Sequence, residues 1–175
     1  MALTASQATE IAERELLAHS TAVASRILPE RTQEFESGWL FYYQSARYLE
    51  TERFEDSLVG NAPLFVARSD GKAFFVSYHR PIAESLAAYR SCGNPNAREI
   101  AEVRLTGWLV GAQVVSAIQA IRQHSTLGLG EAKSIVENCL ANQQSVIPVP
   151  TVEEAKVLVE ALAPLGFQSE VGYDG

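Results

Sequence analysis

The sequence has few of the residue types on which catalytic and metal sites depend. Its 175 residues include two cysteines and three histidines, with no Cys-x-x-Cys, His-x-x-x-His or His-Glu-x-x-His motif. His19, His79 and His124 do not pair with Cys, Asp or Glu at metal-ligand spacing. Cys92 and Cys139 are far apart in the chain, which favours two reduced thiols. We therefore predict no metal and no cofactor.

An enzymatic function is also not predicted, although the sequence does not exclude a catalytic Cys–His dyad. A Cys–His dyad forms in space and not in sequence, so spacing alone does not exclude it. Cys139 falls at the end of a predicted amphipathic helix, and Cys92 falls in a predicted linker. Neither context is typical of an activated nucleophile.

Basic charge is scarce as well. The chain has 14 Lys and Arg against 21 Asp and Glu, a formal net charge of −7, and no dense basic block. Binding to nucleic acid requires clustered cations that neutralise phosphates, so a nucleic-acid partner is not predicted. The acidic surplus favours solubility and a basic partner.

Long apolar runs and targeting signals are missing from the sequence. No stretch approaches the roughly 20 apolar residues that a bilayer-spanning helix requires. The first residues, Met1 to Ser6, lack the basic and apolar regions of a secretory signal. We therefore predict a cytoplasmic protein without a membrane partner.

A glycine pair in the second half is reminiscent of a phosphate-binding loop, but the pattern is incomplete. Gly128-Leu129-Gly130 lacks both the third glycine of a dinucleotide fingerprint and the Gly-Lys-Ser/Thr of a P-loop. We interpret it as a tight turn between two helices, where glycine permits close backbone approach.

The chain is predicted to divide near its middle. Residues 91–97 combine Ser, Gly, Pro and Asn between two patterned regions, a composition typical of linkers and turns. We predict one domain over residues 1–92, a linker over 93–100 and a second domain over 101–175.

The first half is predicted to be an antiparallel sheet with flanking helices. The predicted elements are a helix that begins at the capping box Thr4-x-x-Gln7, an extended stretch over 23–36 interrupted by Pro29, an aromatic strand over 39–49, a hairpin with strands 64–68 and 73–78, and a helix that begins after Pro81. The hairpin turn contains Asp70-Gly71, a pair that favours the positive φ angles of tight turns.

The second half predicts the order β-α-α-β-α-β, with the helices on one face of a three-stranded sheet. The strands are predicted over 103–107, 145–149 and 167–171, with Pro148 indicating an edge strand. Helical faces begin at Val114 and after Gly128, and a third helix begins at the capping box Thr151-x-x-Glu154. The whole chain is therefore predicted to be α+β.

Two groups of residues are candidates for partner binding. Glu50, Glu52, Glu55 and Asp56, with Arg47 among them, form the densest acidic stretch, which is either a solvated face or a patch for a basic partner. The aromatic cluster that includes Trp39, Tyr42 and Tyr48 is either core or an exposed anchor, since Trp, Tyr and Arg dominate binding hot spots.

Residues 38–89 resemble the immunity protein 35 family of bacterial toxin-immunity systems. The matching features are Gly38-Trp39-Leu40-Phe41 with Tyr43 and Ser45, then Gly60-x-x-Pro63-Leu64-x-Val66, Asp70-Gly71 and the helix from Pro81 to Tyr89. The resemblance implies a small α+β protein that occludes a cognate toxin and has no catalytic activity.

Residues 103–171 are similar to the C-terminal domain of the bacterial ribosomal stalk protein. The similarity rests on Ile118 to Arg122, Leu127 to Lys133 with Val136-Glu137, Glu153-Glu154-Ala155 and Leu162 to Gly166. In that family, cations on two facing helices recruit translation GTPases. Arg122 and Lys133 occupy two of these positions, whereas Val114, Gln119 and Gly130 replace lysines.

The most favoured hypothesis is an immunity protein whose partner is a cognate toxin, with the stalk-like domain extending the interface or serving an accessory role. Two alternatives are a chaperone or adaptor and a protein that binds a translation factor through the stalk-like domain. Arg122 and Lys133 are the candidate contacts in that domain. The sequence leaves open the chemistry of the toxin, the face that binds it and the oligomeric state.

Overall fold

The computed structural model describes residues 3–19 and 23–175. The chain forms two compact units, Met1–Asn96 and Ala97–Gly175, called here the N-terminal and C-terminal units. Each contains antiparallel strands and helices, so the predicted α+β class is confirmed.

Within its described residues, the N-terminal unit contains a four-stranded antiparallel sheet, a separate two-stranded sheet and three helices. Its elements are α1 (Ala5–His19), β1 (Ser25–Ile27), a 3₁₀ turn (Pro29–Arg31), β2 (Gln33–Phe35), β3 (Gly38–Phe41), β4 (Tyr43–Ser45), α2 (Ala46–Thr51), a second 3₁₀ turn (Phe54–Asp56), β5 (Leu64–Ala67), β6 (Ala73–Phe75) and α3 (Ile82–Cys92). The strand orders are β2-β3-β5-β6 and β1-β4.

The two faces of the four-stranded sheet are covered by different helices. Successive side chains of a strand point to opposite faces, so a single strand contributes to both layers. Trp39 and Phe41 of β3 pack with α1 on one face, whereas Leu40 packs with α3 on the other. All four residues of β3 and all four of β5 are buried. The predicted strand with both faces covered is therefore confirmed for residues 39–41.

The predicted strand over 39–49 is wrong beyond Ser45. The Ser45 hydroxyl accepts the backbone N–H of Tyr48 at 2.9 Å and caps the helix α2 that follows. A serine in this role satisfies one of the free N–H groups of a first helical turn. Residues 46–49, which include the charged Arg47, therefore belong to a helix. Ser91 and Cys92, at the start of the stretch with linker-like composition, end α3.

Other local predictions in this unit are confirmed. Thr4 and Gln7 form the reciprocal capping box of α1, with the Gln7 N–H to Thr4 Oγ1 distance at 3.3 Å and the Thr4 N–H to Gln7 Oε1 distance at 3.0 Å. β5 and β6 form the hairpin, with Gly71 at φ 71° in its turn. The Lys72 backbone N–H donates to the Asp70 carboxylate there, which lowers the pKa of Asp70.

The C-terminal unit has the predicted order β-α-α-β-α-β. Its elements are β7 (Glu99–Trp108), α4 (Val114–His124), α5 (Leu129–Leu140), β8 (Ser145–Pro148), α6 (Val152–Leu162), a 3₁₀ turn (Ala163–Leu165) and β9 (Phe167–Tyr173). The sheet is antiparallel with order β8-β7-β9, so Pro148 lies on an edge strand as predicted. A single core joins the three helices to the sheet through Val103, Ile121, Val136, Ile147 and Leu158.

Two predictions on helix starts in this unit need correction. Thr151 caps α6 by accepting the Glu154 N–H at 3.1 Å, but the Glu154 carboxylate lies 2.8 Å from His124 Nδ1 on α4. Thr151 therefore caps α6 alone. The Glu154 carboxylate, which a capping box would direct to the Thr151 N–H, contacts α4 instead. Gly128 precedes α5 in the turn between the two helices, as predicted, whereas Gly130 lies inside the first turn of α5.

Candidate protein-interaction surface

The acidic stretch folds into a short braced structure, the acidic segment, defined here as residues 46–57. It consists of α2, the left-handed residue Glu52 at φ 55°, and the 3₁₀ turn Phe54–Asp56. Ser45 ties the two ends together, because its hydroxyl both caps α2 and donates to the Asp56 backbone carbonyl. A segment held in this way presents its outer side chains in one preformed arrangement.

The carboxylates of this segment have different roles. Asp56 is almost enclosed, with a side chain 10% exposed, and it accepts from Arg47 Nε at 3.0 Å and from the Thr51 hydroxyl at 2.8 Å. Asp56 therefore braces the fold and does not face solvent. Glu50 and Glu55 are more than half exposed and pair with Arg26 and Arg53.

Such exposed pairs contribute little to stability, so their partners exchange readily for the cations of another protein. Glu52 is exposed and forms no ion pair with any described residue. The outward negative charge of the segment therefore resides on Glu50, Glu52 and Glu55.

The aromatic candidates divide between core and surface. Trp39 is 2% exposed and packs against α1, with the Arg68 guanidinium 4.0 Å from its ring centroid, so it belongs to the core and is not an exposed anchor. Tyr48 is half-buried on α2. Tyr42 is also half-buried, with Arg31 4.9 Å from its ring centroid.

The exposed aromatic side chain of the acidic segment belongs to a residue that the sequence interpretation did not select. Phe54 is 80% exposed at the start of the second 3₁₀ turn, and Val59 shortly after the segment is 76% exposed. The Ser57 hydroxyl donates to the Phe54 carbonyl at 2.7 Å and fixes the backbone beneath the ring. The sequence context of Phe54 does indicate exposure. It is an aromatic residue inside a charged run, and no neighbouring apolar residues extend a helical or strand pattern through it.

The two cationic candidates lie in the C-terminal unit. Arg122 on α4 and Lys133 on α5 are both exposed, and Lys133 lies 3.6 Å from Glu137 one turn further along its helix. Val114 is half-buried and packs against the core, while Gln119 and Gly130 are exposed. The α4 and α5 surfaces therefore carry only part of the positive charge that the stalk resemblance implies.

Features that would indicate other kinds of site are weak in the described chain. Within residues 3–19 and 23–175 there is no group of three or more His, Cys, Asp or Glu placed to hold a metal ion. Burial raises the pKa of the Cys139 thiol, which disfavours the thiolate form that a nucleophile requires. In the same described ranges, no helix has both the length and the apolar character needed to cross a bilayer.

The N-terminal unit is thus a small α+β unit with a braced acidic segment and an exposed aromatic side chain. Residues 6–92 match the model of the family described as Immunity protein 35, and through this segment the chain belongs to that family. The predicted resemblance of the first half is thereby confirmed.

The C-terminal region is a distant homologue of a ribosomal protein. The chain is 34% identical over 98 residues to the large ribosomal subunit protein bL12 of Clostridioides difficile (strain 630), a match that covers 56% of this chain and 76% of that protein. This confirms the second predicted resemblance. No solved structure matches the chain significantly.

Proposed function

We propose that this chain is an immunity protein that binds a cognate bacterial toxin and neutralises it by occlusion, without catalysis. The observation that carries the proposal is the family match over residues 6–92. The residues expected to contact the toxin lie in that range. They are Glu50, Glu52 and Glu55 of the acidic segment with Phe54 between them, flanked by Arg47, Tyr42 and Tyr48.

The physical properties of the acidic segment support this choice of surface. Occlusion requires a surface that is already formed when the toxin arrives, because ordering a loop on binding reduces affinity. The contacts of Ser45 and Asp56 fix the segment in advance. Its outward carboxylates attract a basic partner and accelerate the encounter, while an exposed aromatic ring contributes apolar burial after contact.

The proposal assigns a separate role to each of the two units. Residues 1–92 are proposed as the toxin-binding domain, and residues 101–175 as a stalk-like domain that extends the interface or serves an accessory role. The residues between α3 and β7 are proposed as the linker, so that positions 99 and 100 of the predicted linker belong to β7. The toxin is proposed to act in the cytoplasm, where this chain meets it.

The proposal predicts that the chain rescues cells from the toxin encoded beside it. Expression of the neighbouring gene's product alone should arrest growth, and co-expression of this chain should restore colony counts and yield a one-to-one complex on co-purification. A toxin from a different toxin-immunity system serves as the control. It should remain lethal when it is co-expressed with this chain in the same host. Absence of both rescue and complex would exclude the immunity function.

A second candidate function is supported by the ribosomal homology of the C-terminal region. In this alternative the chain is an adaptor that binds a translation factor through α4 and α5. Arg122 and Lys133 would then be the contact residues, because they retain positive charge on these exposed helices.

This alternative predicts co-sedimentation with ribosomes that depends on the two cations. The double variant Arg122→Glu, Lys133→Glu should abolish co-sedimentation, since reversing charge turns attraction into repulsion at the same sites. Lys72→Glu in the N-terminal unit is an exposed control and should leave co-sedimentation unchanged.

A further inference from the structure

The N-terminal unit contains a groove that the proposed function does not use. It lies between α1 on one side and β1 with the following 3₁₀ turn on the other, and its volume is about 650 Å³. Leu16, Ile27 and Phe41 line it, and Leu17 at its rim is 82% exposed. Leu16 and Phe41 are almost fully buried at its floor, so Leu17 supplies most of the exposed apolar surface at the groove.

One wall of the groove is the outer edge of β1, which faces away from β4. The Leu28 N–H donates to the Tyr42 carbonyl, and the Ala46 N–H donates to the Ala24 carbonyl, both at 2.8 Å. In the antiparallel register that pairs Arg26 with Gln44, residues 24, 26 and 28 therefore direct their backbone groups toward β4. Ser25 and Ile27 direct theirs the opposite way, and both residues line the groove.

The outer edge of β4, on the other side of this two-stranded sheet, is covered by side chains, in contrast to the outer edge of β1. Beside β4, the Asn61 side-chain amide donates to the Tyr43 carbonyl at 2.9 Å, and the Gln44 amide donates to the Leu58 carbonyl at 3.2 Å. Within the part of the chain that the structure describes, no strand pairs with the outer edge of β1. The edges of native sheets are usually blocked, so an edge that opens onto an apolar groove is a template for another strand.

The charge at the rim restricts the occupant. Glu13 of α1 lines the groove, is exposed and forms no ion pair with a described residue. Arg26 on the opposite side pairs with Glu50 at 3.0 Å in the free chain. The uncompensated charge at the groove that an approaching partner meets is therefore negative.

We infer that this groove binds an extended segment of the toxin, which adds to the β1 edge as a third strand. The segment donates to and accepts from the backbone of Ser25 and Ile27, places apolar side chains against Leu17 and Ile27, and carries a lysine or arginine opposite Glu13. This mode gives affinity through main-chain hydrogen bonds and specificity through alternate side chains. The inference rests on the proposed function and adds a second contact to the acidic segment.

Amide hydrogen exchange of the full chain, with and without the purified product of the neighbouring gene, tests the inference residue by residue. The amides of Ser25 and Ile27 should become protected in the complex, because new hydrogen bonds slow their exchange. The amides of Arg26 and Leu28 are the internal control, since β4 already holds them and their protection should change little.

A pair of substitutions at one residue isolates the backbone hydrogen bond. Ser25→Pro removes the outward N–H, which a strand edge tolerates, and should weaken binding by at least about tenfold. Ser25→Ala keeps the N–H and should bind within about twofold of the unmodified chain, since it removes only a hydroxyl. Circular dichroism of the free variants establishes that both fold.

A second pair tests the charge at the rim. Glu13→Lys should weaken binding by about fivefold or more, because it sets like charges together at the groove. Glu10→Lys makes the same charge change on the same helix outside the groove and should have a smaller effect.

The outcomes separate this inference from the proposed function. Absence of any complex would overturn both. A complex in which Ser25 and Ile27 stay unprotected and Ser25→Pro binds normally would overturn the strand addition alone. Protection of these amides in the free chain at high concentration would assign the edge to a second copy of the chain and would also overturn it.

Discussion

Substitution of Gly38 by alanine is expected to destabilise the N-terminal unit by more than about 4 kcal/mol, within the range of an overpacked core and strained backbone. Gly38 has φ 157° at the start of β3, where it pairs with Ala67. A Cβ at this position would lie 2.2 Å from the Val66 carbonyl oxygen and 2.9 Å from the Phe65 ring. The nearest atom is backbone in a buried strand, so the clash requires β3 and β5 to separate.

The measurement is denaturant unfolding followed by tryptophan fluorescence. Trp39 lies in the core of the N-terminal unit and Trp108 lies in the C-terminal unit, so a Trp108→Phe background makes Trp39 the only reporter. The Gly38→Ala chain should lose the Trp39 transition or show it at a much lower denaturant concentration. Rescue from the neighbouring toxin should be lost with it, because a preformed surface needs a folded unit.

Gly60 provides the matched control in the same unit. It also has a positive φ, at 72°, but an added Cβ would meet no atom within 4 Å. Gly60→Ala should therefore cost only the left-handed backbone strain, about 1–2 kcal/mol. If Gly38→Ala and Gly60→Ala destabilise the unit equally, the close approach of β3 and β5 is not what requires glycine at position 38.

The order of elements was predictable where periodicity and turn chemistry agree. The β5–β6 hairpin follows from Asp70-Gly71 between apolar runs, and the order of the C-terminal unit follows from helical stripes between short β-branched segments. The boundary at Ser45 did not follow, because aromatic and aliphatic residues make up most of the sequence on both sides of it. Only the hydrogen bond from the Tyr48 N–H to the Ser45 hydroxyl indicates that a helix begins there.

The candidate surface was predictable in position but not in its residues. Composition alone located the acidic segment, since four carboxylates lie between residues 50 and 56. Which carboxylate faces inward depends on contacts that form only once the segment has folded. Asp56 is enclosed because Arg47 and Thr51 converge on it, and neither contact is encoded in residue type.

The exposure of the aromatic residues could not be predicted from residue type either. Hydrophobicity does not distinguish Trp39 from Phe54, yet one is 2% and the other 80% exposed. Trp39 alternates with Leu40 in a strand that has a layer on each face, so its ring is buried whichever way it points. Phe54 lies in a 3₁₀ turn outside both sheets and has no layer above it.

Substitution of Phe54 by serine is expected to weaken toxin binding by at least about tenfold, the effect of losing an aromatic anchor worth 1.4 kcal/mol or more. The loss should appear in the dissociation rate constant, because apolar contacts act after the encounter. The stability of the free chain should change little, since the ring is already exposed to solvent. Surface-based kinetics with the neighbouring gene's product measure both rate constants, and Phe54→Leu is the conservative control that should retain most of the affinity.

A charge substitution in the same segment separates anchoring from attraction. Glu52→Lys should lower mainly the association rate constant, with an effect that shrinks as salt is raised, because long-range charge acts before contact and is screened. Since Glu52 forms no ion pair with the described residues, this change does not remove a brace of the fold. If Phe54→Ser leaves the dissociation rate unchanged while Glu52→Lys still slows association, the acidic segment steers the toxin and does not anchor it. The apolar burial that holds the complex together would then have to lie elsewhere on the chain, and the groove beside β1 is the next surface to test.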